Sequence, residues 1–253
     1  MRIVLVHSFK GGSGKSLFAS NLANIWSDQG RSILLIETDF VMPAFQSIYL
    51  NLKPDIFLND FLDNDDNSLT KYIYNVKENF DIIFSSNDFN PSHKIFSRDQ
   101  QWFREKKDQL NQAIKDQKYD TIIFDTSPGF SLFIINLLLL ADMVFILLRS
   151  DNQSIKGTQI LIDKVYKKSV DLGKKTAINI VVNQIPQVRE ITPILNEITI
   201  IFSTQYSFIK NIYFLQYYHH TSYLTSVNRF LLPGDNSTRK EIEEIIDNIE
   251  FDD

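Results

Sequence analysis

The sequence predicts an α/β fold: a doubly wound, mostly parallel sheet with helices on both faces. Three observations predict it. Short apolar runs recur along the chain without polar alternation, helical stripes lie between them, and the first run leads into a glycine-rich turn that opens a helix. The runs are RIVLVHS (2–8), SILLIETD (32–39), FDIIFSS (80–86), DTIIFDTS (120–127), MVFILLRS (143–150), AINIVVN (177–183) and KNIYFL (210–215). A strand with one wet face alternates polar and apolar residues; these do not, as expected of parallel strands covered on both sides.

Between them, Phe18, Leu22, Ile25 and Trp26 recur at i, i+4, i+7 and i+8, and Gly30 supplies a C-terminal cap. Ile155, Ile162, Val165 and Val170 form a similar stripe over 155–172, followed by Gly173. Thr192-Pro193 reads as an N-cap with proline at the first helical position, and Thr238 with Glu241 as a capping box opening the last helix. The stretch FSLFIINLLLLADMVFILL (130–148) carries one formal charge, at Asp142. A membrane span would put that Asp in hydrocarbon at about 2.5–3.5 kcal/mol, together with Asn136. Split at Ala141-Asp142, the stretch reads instead as a buried helix and a buried strand. The polar segments 59–68 and 86–101 read as surface loops, and no internal repeat is visible.

The 253 residues are 43% hydrophobic and 23% charged, enough for one core, so residues 1–253 are expected to form a single domain ending in an acidic helix over 238–253. No cysteine is present, which excludes disulfides, thiolate nucleophiles, zinc–thiolate sites and iron–sulfur clusters and fits a reducing, cytoplasmic setting. The N-terminus has no signal-peptide pattern. Net charge is −5, all of it accounted for by residues 239–253, so no overall basic field marks nucleic acid or an anionic membrane as partner.

The chemistry concentrates after the first strand, in SFKGGSGKS (8–16). Glycines let backbone N–H groups turn around a phosphate, and a helix starting at Lys15 adds the positive end of its dipole. Lys15 would reach the β/γ oxygens and the Ser16 hydroxyl a magnesium ion. The pattern G-x-x-x-x-G-K-[ST] fails only at its first position, where Phe9 stands, and a second lysine, Lys10, sits beside it. An acid emerging from a buried strand, as Asp125 does in YDTIIFDTSPG (119–129), can hold a magnesium water shell. Asn183, ending INIVVN, offers an acceptor and two donors that match N6 and N7 of adenine, and the absence of an N/T-K-x-D run favours ATP over GTP.

The spacing K-G-G-x-G-K-[ST] resembles the deviant Walker A motif of the ParA/MinD family of P-loop ATPases. The resemblance implies ATP and Mg²⁺ as cofactors. It puts Gly11, Gly12, Ser13, Gly14, Lys15, Ser16 and Leu17 around the nucleotide, and Ser16, Asp39 and Asp125 around the metal. It implies that Lys10 crosses a dimer interface to the partner's phosphates, and that Asp39 of LIETDF (35–40) orients the attacking water. Glu37 stands where the family has Asp, able to accept from a magnesium-bound water. Ser127-Pro128-Gly129 would sense the γ-phosphate. Near the end the family's I-P-x-D is replaced by LQYY (215–218), where Tyr217 or Tyr218 could stack on a base; the adjacent His219 and His220 point apart and make no metal site.

By that resemblance the function is an ATP-dependent homodimer switch with slow hydrolysis, positioning or partitioning DNA or a protein cargo. A protein partner is expected, met by the acidic tail or the 86–101 loop. DNA is an alternative partner on the five lysines of KVYKKSVDLGKK (164–175). A membrane is not expected, because EIEEIIDNIEF is acidic. Two other readings stay open: a dethiobiotin synthetase-like ATP-dependent ligase, and a nucleotide-binding scaffold with little turnover, which Glu37 and Gln216 allow.

Overall fold

A computed structural model describes residues 1–64, 66–87, 98–226 and 230–249. His93, most of the 86–101 loop and the last four residues of the acidic tail lie outside the described residues. Eight strands form one sheet in the order β3-β4-β2-β5-β1-β6-β7-β8. They are β1 (Arg2–His7), β2 (Ile33–Thr38), β3 (Tyr74–Lys77), β4 (Phe80–Ile83), β5 (Thr121–Thr126), β6 (Met143–Arg149), β7 (Ala177–Ile185) and β8 (Ile209–Gln216). Every pairing is parallel except β3 with β4, a short hairpin at the edge. Leaving β1 the chain skips a place to build β2, and β5 later fills the gap, so β1 and β5 sit together at the centre. Ligands of such sheets bind at the carboxyl ends of the central strands.

Both faces of the sheet are covered, which explains the unbroken apolar runs. In β1, Ile3 and Leu5 join one core while Val4 and Val6 join the other; in β2, Leu34 and Ile36 oppose Ile33 and Leu35 in the same way. The second core is roofed by α1 (Lys15–Asp28), through Phe18, Leu22, Ile25 and Trp26, and by the last helix, α9 (Ser237–Asp247), through Ile242, Ile245 and Ile246. Phe18 meets Phe145 of β6 edge-on at 5.3 Å. Burying each of these rings stabilises the fold by about 1.5–3 kcal/mol. Gly30, at φ +84°, turns the chain out of α1 as its sequence position predicts, and the Arg31 N–H returns to the Trp26 carbonyl.

The remaining helices are α2 (Phe45–Ile48), α3 (Leu58–Asp63), α4 (Gln100–Lys115), α5 (Leu132–Leu138), α6 (Asn152–Leu161, continuing through a π turn at Ile162–Tyr166 into Lys167–Asp171), α7 (Thr192–Gln205) and α8 (His219–Ser226). The 130–148 stretch divides into α5 and β6, and no helix among the described residues is long and apolar enough to cross a membrane.

Several local expectations are corrected. The last helix is capped by Asn236, whose Oδ1 accepts from the Thr238 and Arg239 N–H groups; Glu241 instead accepts from the Gln216 N–H and the Tyr218 hydroxyl. A 3-10 turn at Arg189–Ile191 runs directly into α7, so Thr192 is its first helical residue and not its cap. The strand expected over 80–86 stops at Ile83, because the N–H groups of Ser85 and Ser86 are taken by the side chains of Glu37 and Asn59. The first half of the supposed 59–68 loop is α3, with Phe61 and Leu62 fully buried and Asp60 reaching back to the Phe57 N–H. Nor is α5 buried all round: Leu132 and Ile135 are exposed, as is Leu139 just after it.

Candidate functional site

The site forms where β1, β2 and β5 end. Their ends are pegged together: the Thr126 hydroxyl donates to the Val6 carbonyl at 2.9 Å and the Thr38 hydroxyl to the Asp125 carbonyl at 2.9 Å. That fixes three projections side by side, the 8–14 loop after β1, Asp39 after β2 and Asp125 within β5. Gly11 and Gly12 lie exposed on the crest of the loop. Gly14, at φ +89°, is the N-cap of α1, and a Cβ there would stand 2.3 Å from Asn183 Nδ2. Only glycine meets both demands.

Four of the sequence-predicted residues converge. Lys15 is 7% exposed; burial lowers its pKa, while Asp125 and then Asp39 push it back up. Asp125 is 1% exposed, and burial raises it to about 6 against the pull of Lys15 and a hydrogen bond from Ser16, with Asp39 adding repulsion. Its Oδ1 has no hydrogen-bond partner among the described residues. Asp39 accepts from the N–H groups of Val41 and Met42 at 3.1 and 2.9 Å, which orients its carboxylate at the head of the loop after β2. A buried carboxylate oxygen left unpaired beside a serine hydroxyl is an all-oxygen donor set that suits a hard divalent cation such as magnesium.

The others stand apart from this cluster. The Lys10 ammonium donates to Gln153 Oε1 of its own chain at 2.6 Å, over the start of α6. Asn183 donates from Nδ2 to the Ser13 carbonyl at 2.8 Å, while its Oδ1 accepts from the Gln184 N–H at 2.8 Å, so it braces the loop from β7. The carbonyl of Leu17 accepts from Asn21 Nδ2 at 2.8 Å. Glu37 is turned away from water: Oε1 accepts from the Ala44 and Phe45 N–H groups at 2.6 and 2.9 Å, and Oε2 from the Ser85 N–H at 3.0 Å. Burial nonetheless pushes Glu37 up to about 8, outweighing those donors. It ties the loop after β2 to the end of β4. Tyr217 lines a cavity of about 410 Å³ with Arg149, Asp151, Gln184 and Pro186 at the ends of β6 and β7, whereas the Tyr218 hydroxyl is engaged by Glu241.

One contact beside the loop escapes the sequence reading. Phe9, the residue that breaks the common loop pattern, packs on Gly157 of α6: a Cβ added at Gly157 would lie 2.0 Å from Phe9 Cδ1 and 2.7 Å from Cγ. An aromatic residue five positions before Gly14 and a glycine inside a helical stripe were the available signals. Gly→Ala inside a helix ordinarily stabilises by about 0.5–1 kcal/mol. Here Gly157→Ala is expected to destabilise by about 1–3 kcal/mol, because rotating the ring about its own axis does not move Cγ. In a Phe9→Ala background the same substitution should become stabilising. Urea titrations of the four proteins measure both signs, and stabilisation by Gly157→Ala alone would refute the contact.

Comparison with known proteins decides the family. The profile of the AAA domain family matches residues 1–180. The chain belongs to this family, and its fold is that of the ParA/MinD ATPases. It is 29% identical over 164 residues to a virulence plasmid ParA family protein of Chlamydia psittaci, a match covering 63% of this chain and 61% of the relative. Among solved structures it resembles a plasmid partition protein of Borrelia burgdorferi B31 bound to AMPPNP, with TM-score 0.77, 20% identity and 97% of each chain covered. It also resembles the septum site-determining protein MinD of Pyrococcus horikoshii complexed with Mg-ADP, with TM-score 0.73, 20% identity, 98% of this chain and 96% of that one. At such identities the structural likeness establishes the fold.

Proposed function

We propose that this chain, with its ParA/MinD fold, binds ATP and Mg²⁺ on the 8–17 loop, hydrolyses ATP slowly, and uses the nucleotide to switch between monomer and homodimer in positioning or partitioning a cargo. The observation that carries the reading is the convergence of buried Lys15, half-buried Ser16 and Asp39, and buried Asp125 with its unpaired Oδ1, beside a loop whose Gly11 and Gly12 are exposed. In it, Lys15 and the loop N–H groups hold the β/γ-phosphates. Ser16 and Asp125 hold the metal, which when bound neutralises phosphate charge. Asp39 orients the water, and Tyr217, lining the cavity at the ends of β6 and β7, stacks on the base, while the Asn183 amide, engaged by Ser13 and Gln184, braces the loop.

Dimerisation is supported by what borders the site. Val41 and Met42 follow Asp39 and are 52% and 76% exposed; Phe130, Leu132 and Ile135 follow the Asp125 turn and are exposed as well. Apolar side chains on the loop after β2 and from Phe130 into α5 suit a second copy closing over the site. Lys10 stands at the same face, held by Gln153, and would leave that contact to reach the partner's phosphates. A protein partner is the expected reader of the dimer, with DNA as the alternative.

Light scattering of Asp39→Ala tests the switch. With Mg-ATP its mass should double, with Mg-ADP it should remain monomeric, and adding Lys10→Ala should return it to monomer. A monomeric mass under every nucleotide would reject the dimer switch.

A further inference from the structure

Beneath the nucleotide loop lies a buried pair that the proposed chemistry does not use. His7, the last residue of β1, is fully buried, and so is Tyr166, in the π turn of α6. His7 Nε2 lies 2.9 Å from the Gly129 carbonyl oxygen, and Nδ1 lies 2.6 Å from the Tyr166 hydroxyl. A carbonyl can only accept, so Nε2 carries the proton. Nδ1 is then a lone pair, so the Tyr166 O–H is the donor to it. The neutral ring this needs fits its surroundings: burial first, and the neighbouring Lys15 charge with it, disfavour the imidazolium.

The receiving end of this relay is the turn after Asp125. Gly129 has φ +79°, its N–H donates to the Ser8 carbonyl at 2.8 Å, and its C=O is held by His7. Both polar groups of that peptide position are therefore tied to the strand end from which the phosphate loop departs. Tyr166 reaches His7 from a helix whose earlier turns carry Gln153, against Lys10, and Gly157, against Phe9. A π turn inserts one extra residue into a helix turn, a device frequent at functional sites, and here it lies where Tyr166 meets His7.

We propose that His7 and Tyr166 are positioning residues of the nucleotide site: Tyr166 orients the imidazole by donating to Nδ1, and the imidazole holds the 127–129 turn at the phosphate loop through its Nε2–H. The proposal rests on the reading of that turn as the sensor of the γ-phosphate. Neither side chain touches substrate; both act through the Gly129 carbonyl.

Conservative replacements separate positioning from packing. Glutamine can place an amide N–H near the position of Nε2, whereas leucine keeps volume and loses the donor. His7→Leu is expected to lower kcat about tenfold with KM for ATP within about twofold of wild type, Tyr166→Phe to lower it less, and His7→Gln to recover most of the loss. Equal kcat in His7→Leu and wild type, or a loss in His7→Gln as deep as in His7→Leu, would overturn the proposal. Where His7→Leu fails to fold, Tyr166→Phe against wild type decides by the same kcat criterion. A second readout needs no turnover. Long-range ¹H–¹⁵N spectra of ¹⁵N-histidine-labelled wild type, with His7 assigned by its loss in His7→Gln, should show a neutral Nε2–H ring at pH 7 whose shifts move with Mg-AMPPNP and not with Mg-ADP. A charged ring, an Nδ1–H ring, or shifts indifferent to the nucleotide would also overturn it. If the wild type proves unable to hydrolyse ATP, the proposed reaction falls on its own and these spectra still judge the pair.

Discussion

Lys15→Ala is expected to cut ATP turnover by roughly 10²–10³-fold and to abolish the thermal stabilisation produced by Mg-AMPPNP. Lys15 opens α1 and is almost wholly buried, so its ammonium is held where water cannot screen it. Burial alone would favour the neutral amine, but Asp125 and Asp39 stand against it and favour the cation. Phosphate oxygens arriving on the loop would therefore meet a charge already desolvated and aimed. Alanine removes that charge and also leaves two neighbouring carboxylates facing each other, which opposes the arrival of an anionic nucleotide further. Phosphate release and melting curves with and without Mg-AMPPNP measure the effect. The circular dichroism of the variant tells loss of the site from loss of the fold. Turnover within tenfold of wild type by a folded variant would mean that the nucleotide binds elsewhere.

How much of this was legible in the sequence follows from the range of the forces involved. The strands could be read because burial on both faces leaves a continuous apolar run, as in β1 and β2, and the phosphate loop because glycine spacing and the following helix are local. The edge strand β3 and helix α4 carry no such signal. In β3 the residues are half exposed and carry no run, and in α4 the stripe of Phe103, Leu110, Ala113 and Ile114 is thinned by charges. Caps are ambiguous in sequence where two polar residues compete, as Asn236 and Thr238 do. Glu37 shows the limit best. Its place after β2 pointed toward the metal, but only the folded chain shows three backbone N–H groups closing on its carboxylate from residues 44, 45 and 85. The pairing of His7 with Tyr166 spans 159 positions and leaves no periodic trace.

Acid should weaken this protein through His7, and the difference between wild type and His7→Gln isolates how much. Burial pushes His7 from 6.5 down to about 3, so the native ring stays neutral while the unfolded ring takes a proton below pH 6.5. The unfolded state then binds more protons, and stability falls as the pH drops through the window from 6.5 toward 3, by about 1.4 kcal/mol per pH unit and about 5 kcal/mol in all. Wild type alone would not reveal this, because Glu37 and Asp125 act in the opposite sense. Their pKa values are raised, so the native state takes up their protons first, and their contribution grows as the pH falls from about 8 and about 6. Those groups are common to both proteins and cancel in the difference. Glutamine has no proton to gain, so the variant should gain about 3 kcal/mol relative to wild type between pH 7 and 4.5. Urea titrations of both proteins across that range provide the test. A difference that stays flat would mean that the native ring titrates as freely as the unfolded one, and would remove the buried neutral imidazole from beneath the phosphate loop.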